Sequence, residues 1–149
     1  MKVIGMIKKI KEIHPVDIQL VKIGTFYHAY GRDAYILSYL FKYNIKWVEN
    51  DIPTVGFPVG ALNSVISKLE SSKINYMLLD RRNNYEVDFE LRNGNLNQYN
   101  EIYEKAKIYV NILKRIQNIN EFLVGNIKAE NIKEIIKDIE KVIDENRKV

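Results

Sequence analysis

The stretch Gly24 to Ala34 constrains the chain more than any other. It reads Gly-Thr-Phe-Tyr-His-Ala-Tyr-Gly-Arg-Asp-Ala. Ile18, Leu20, Val21 and Ile23 precede it as a short apolar run, the pattern of a buried strand, and Gly24 ends that run. After it, Ala34, Ile36, Leu37, Tyr39, Leu40 and Phe41 recur at helical spacing. Three aromatics, Phe26, Tyr27 and Tyr30, therefore sit between a strand and a helix, with glycines at both ends. If Phe26 is extended, Phe26 and His28 point to one side and Tyr27 to the other, leaving one ring free to leave the core. A Phe-Tyr pair on its own reads as core. The sharper reading is an exposed wedge, which enters a base stack at an unstacking cost of a few kcal/mol. Stacking on a base returns about 1–3 kcal/mol, so insertion is favoured where the bases are already badly stacked.

This stretch resembles the start of the N-terminal, mismatch-recognition domain of the MutS family, which has Gly-x-Phe-Tyr-Glu followed by an aromatic and acidic stretch and Asp-Ala. A second match is Pro53-Thr54-Val55-Gly56-Phe57-Pro58-Val59-Gly60-Ala61, where the family shows Pro-x-x-Gly-x-Pro-x-His-Ala before a helix. His14-Pro15 stands where a His-Pro often occurs in the family. The resemblance spans about Ile10 to Asp80. It implies that Phe26 stacks on a mispaired base. The neighbouring Glu of the family is His28 here, a neutral donor and acceptor in place of a carboxylate. Gly60 also departs from the family's His.

The 149 residues suffice for one domain with a core and an appendage. With no cysteine there are no disulfides or thiolate metal sites. No apolar run approaches the roughly 20 residues of a membrane helix, and no signal-peptide block opens the chain, so a cytoplasmic location is expected. The net charge is +4, and residues 1–42 hold 7 basic and 3 acidic groups. That excess permits phosphate binding with nonspecific dissociation constants near 10⁻⁴–10⁻⁶ M.

Periodicity predicts a helix over 3–13, with Ile4, Ile7, Ile10 and Ile13 as its stripe, and a strand over 17–23. A helix follows over 32–43, then strands over 45–49 and 52–57 joined by a turn at Asn50-Asp51. Pro58 opens a helix over 59–71, and Ile74 to Leu79 is a buried strand. Tyr85 to Leu91 alternates, with Tyr85, Val87, Phe89 and Leu91 on a dry face and Glu86, Asp88 and Glu90 on a wet one. Arg92-Asn93-Gly94-Asn95 ends that strand. From Tyr99 two amphipathic helices, parted at Gly125-Asn126, are expected to form an antiparallel hairpin. The fold class is thus α/β: a mixed sheet of about five or six strands flanked by helices, then a C-terminal two-helix region. Domains are placed at 1–98 and 99–149.

No Gly-x-x-x-x-Gly-Lys-Ser/Thr occurs in these 149 residues, so a complete MutS ATPase is not expected. His14 and His28 lack zinc-ligand spacing, and no serine lies in a nucleophile motif. The expectation is a standalone, non-enzymatic module that binds nucleic acid, without cofactor or metal. Phe26 is the wedge, His28 its neighbour, and Lys22, Arg32 and Lys46 the phosphate contacts. Its DNA binding, to mismatched or distorted sites, would be weak alone and raised by a protein partner or a second copy meeting the C-terminal helices. A protein–protein adaptor that kept the fold but not mismatch binding is the alternative. Small MutS-like proteins are accessories to mobile or retro-type elements, which fits either. A metal-dependent nuclease using Asp80, Glu86 and Asp88 is the weaker third reading.

Overall fold

The structure is a computed structural model, described here for residues 3–48, 51–92 and 96–147. It forms two compact units, Met1–Val110 and Asn111–Val149. The first unit holds a mixed sheet in the order β3-β4-β2-β1-β5-β6. Its strands are β1 (Ile18–Ile23), β2 (Phe26–Tyr30), β3 (Lys46–Val48), β4 (Ile52–Pro58), β5 (Tyr76–Asp80) and β6 (Glu86–Leu91). β1 and β5 are parallel, and every other neighbouring pair is antiparallel. Helices α1 (Val3–Ile13), α2 (Arg32–Phe41) and α3 (Leu62–Ser71) belong to this unit, together with the start of α4 (Tyr99–Gly125). The predicted α/β class with a C-terminal helix pair is what the chain adopts; the pair is completed by α5 (Ile132–Asn146).

The two faces of the sheet are covered unequally. Ile18, Leu20, Tyr27, Ala29, Val55 and Phe57 fill one face, packed with Ile36 and Leu37 of α2, Val65 and Leu69 of α3, and Tyr99 and Ala106 of α4. On the other face α1 lays Ile7 over Val21, Met77 and Leu79, so it covers β1 and β5. Ile13, expected in the α1 stripe, is instead 75% exposed at the last turn.

Three sequence expectations change. The aromatic stretch is itself a strand, β2, joined to β1 by the two-residue turn Gly24-Thr25. Gly24 takes φ +63°, as the first central position of a tight II′ hairpin requires. Pro58 closes β4, and Val59–Ala61 makes a 3-10 turn before α3 begins at Leu62. Finally, β6 has no dry face. Phe89 pairs with Leu78 and Val87 with Leu79, with Asp88 bulged out between them. Leu78 and Leu79 point to opposite sides, so the bulge sends Phe89 and Val87 to opposite sides as well. As an edge strand β6 stays exposed along most of its length. Asn50 and Asn93–Asn95, expected at turns, lie outside the described residues.

Candidate nucleic-acid interface

The β1–β2 hairpin sets the site. Ile23 pairs with Phe26 across the turn, so Phe26 is the first residue of β2. Strand alternation then puts Phe26, His28 and Tyr30 on the face that carries α1, and Tyr27 and Ala29 in the core. α1 leaves the Phe26 end of the strand open, whereas Tyr30 is half-buried against the cluster around Ile7. Tyr27 is 7% exposed, with its ring 5.8 Å from Phe57; Phe26 is 45% exposed. Ring centroids run 6.4 Å from Phe26 to His28 and 6.4 Å from His28 to Tyr30.

Gly56 lies opposite His28 on β4. A β-carbon there would sit 3.1 Å from the His28 ring, so glycine makes room for the imidazole. Burial of His28 lowers its pKa from 6.5, favouring the neutral ring at physiological pH. It can then donate one hydrogen bond and accept one.

Two clefts follow this ladder. The first, about 770 Å³, is bordered by Phe26, His28, Thr25, Asn44, Lys46 and Gly56 among others. The second, about 420 Å³, shares His28 and Thr54 with it and reaches Tyr30 and Arg81. Among the described residues, neither is lined by Asp or Glu.

Of the residues chosen from sequence, the fold brings Phe26, His28 and Lys46 together. Lys46, on the neighbouring strand β3, pairs with Thr54, whose side chain shares the open face. Lys22 pairs with Tyr27 and Asp80, which puts it on the opposite face. Arg32 donates from Nη2 to the Pro15 carbonyl at 3.1 Å and lies 5.7 Å from the centres of both the Tyr99 and Tyr103 rings. Asn44 and Arg81 escaped the sequence reading because only the fold brings their segments to Phe26 and Tyr30; Thr25, next to Phe26 in the chain, borders the same cleft.

Asp33, the acid of the Asp-Ala pair, is fully buried. It accepts from Lys11 Nζ at 2.7 Å, from Tyr99 OH at 2.5 Å and from the Gln19 backbone N–H at 3.0 Å. It therefore ties α1, β1 and α4 to α2 behind the hairpin. Burial, and then the Asp33 carboxylate, raise the Tyr99 pKa far above its ordinary value, so the phenol keeps its proton and donates.

The three acids of the nuclease reading do not converge. Asp80 accepts from the Arg82 backbone N–H at 2.9 Å and pairs with the Arg82 guanidinium at 3.4 Å, which together hold its carboxyl below the usual range. Glu86 pairs with Asp80, and Asp88 is the bulged residue. Among the described residues, no three or more His, Asp or Glu are grouped to hold a metal ion, and no helix is long and apolar enough to cross a membrane.

Fold and site together define a small α/β domain that presents an exposed aromatic beside cations on an open sheet face. The model of the MutS domain I family matches residues 3–84. The chain belongs to that family. Over 77 residues it is 35% identical to the DNA mismatch repair protein MutS of Salinibacter ruber, a match covering 49% of this chain and 8% of that protein. The chain thus corresponds to a small fraction of the relative's length.

Proposed function

We propose that this chain is a non-enzymatic DNA-binding module for mismatched or distorted sites. The observation that carries the reading is Phe26. Its ring is 45% exposed at the hairpin mouth, with a neutral His28 behind it and Lys46 across the cleft. A flat apolar ring enters a weakened stack at less cost than a sound one. His28 meets the edge of the displaced base, and Lys46 meets a phosphate. Fluorescence anisotropy at low salt tests this with matched and mismatched duplexes. Tighter binding to the mismatch, falling steeply with salt, is the expected result. Phe26→Ala should remove the preference and leave the salt slope nearly unchanged. Equal affinity for both duplexes in the wild type would sink the reading.

A second reading, protein association, rests on the second unit. There Ile112, Ile116 and Ile119 recur at helical spacing on α4, between 49% and 57% exposed. Residues 111–149 carry 8 basic and 7 acidic groups, a near-neutral balance that suits a protein surface better than a phosphate backbone. On this reading the helices hold a second copy or a protein partner, and pairing two weak DNA sites raises their joint affinity.

A further inference from the structure

The ring ladder on β2 extends beyond what a single mispaired base uses. Phe26, His28 and Tyr30 form an evenly spaced row, 6.4 Å between successive centroids. That interval follows from the fold, because alternate residues of a strand are about 6.6 Å apart. It is close to twice the step of stacked bases, about 3.4 Å. A duplex locks its bases at that step and cannot match the row. A strand with unpaired bases can be drawn out until successive bases reach successive rings. Open sheets that bind single strands use aromatics in this way.

The surroundings agree with a polyanion. Lys46 borders the cleft at Phe26 and His28, and the exposed Arg81 borders the cleft at His28 and Tyr30. Among the described residues, no acidic side chain lines either cleft. Both clefts are bordered by His28 and Thr54, and the one at Tyr30 is walled by Val3 and Ile4 of α1. We infer that this groove is a track for a DNA single strand, holding about three unpaired bases against Phe26, His28 and Tyr30, with phosphates toward Lys46 and Arg81. This rests on the DNA-binding reading and names its preferred ligand: DNA already opened, with the mismatch a special case in which a single base meets Phe26 and the neighbouring His28.

Anisotropy on the full chain tests it with a labelled thymidine oligonucleotide alone, the same strand annealed to its complement, and the same duplex with one mismatch. The single strand should bind about tenfold or more tighter than the matched duplex. His28→Ala should weaken single-strand binding by about tenfold while affecting mismatch preference less than Phe26→Ala does. Arg81→Gln, at an exposed position, should lower the single-strand salt slope by about 1 with an unchanged circular dichroism spectrum. Single-strand affinity no better than that for the matched duplex, or unmoved by both variants, would overturn the track. Mismatch preference that needs Phe26, without single-strand preference, would overturn it and leave the DNA-binding reading standing. No binding to any of the three would remove both. Tighter binding to the corresponding uridine RNA would overturn the assignment to DNA.

Discussion

At the mouth of the β1–β2 hairpin, Phe26 stands exposed while Tyr27 is sealed against Phe57. The division comes from strand alternation, and it also selects His28 for the open face. His28 has a pH signature. Burial lowers its pKa in the folded state below 6.5. Above that pH both folded and unfolded forms are neutral. As pH falls through 6.5 the unfolded chain takes up the proton first, so stability is lost toward the lower folded value. His28→Gln removes this term. Urea titrations at pH 7.5 and pH 5 should therefore show the wild type losing more stability on acidification than the variant; equal losses would contradict the assignment. Asp33 offers a second residue-level test. Tyr99→Phe deletes one donor to a buried carboxylate that keeps Lys11 and the Gln19 N–H. A cost of about 1.5–3 kcal/mol is expected in urea unfolding. A change within error would show that this bond contributes no net stability.

Among the elements, β6 and α4 show how far periodicity carries. The alternation of Tyr85 to Leu91 predicts a strand, and the strand is there. Its expected single dry face is not, because the bulge at Asp88 reverses the phase partway along. No residue in that stretch signals a bulge; it exists only in pairing with β5. On α4 the periodicity is real, but it mixes two surfaces. Tyr99, Ala106 and Val110 are buried, whereas Ile112, Ile116 and Ile119 are exposed. The association reading predicts that the double substitution Ile116→Glu and Ile119→Glu abolishes any dimer seen by sedimentation. Its effect on unfolding should be within about 0.5 kcal/mol, as for surface positions. A wild-type chain that stays monomeric at high micromolar concentration would argue against self-association.

For the whole molecule, the net charge of +4 says little until the sheet divides it between two faces. Lys46 lies on the open face and Lys22 on the other. Lys46→Gln should lower the salt slope of DNA binding by about 1, and Lys22→Gln should leave it unchanged. Equal effects from the two would mean that DNA contacts are not confined to the open face. A charge count alone would treat both lysines alike. Arg32 is also committed within the fold, to the Pro15 carbonyl and the Tyr99 and Tyr103 rings.

The amino-acid order by itself determined most of the elements and the family, because these depend on short-range spacing: alternation in strands, three-to-four steps in helices, and two motifs in order. It offered Phe26 as either core or exposed wedge, and the fold decided for exposure. It also placed His28 beside Phe26, since residues two apart on a strand share a side. Only the tertiary structure decided which cations join them and that Asp33 is a buried tie between helices. It alone showed that the aromatic row runs on to Tyr30, where α1 packs against the sheet. Those outcomes depend on strand order, register and which face a helix covers. Such long-range pairings join segments far apart in the chain and leave no local signature in either.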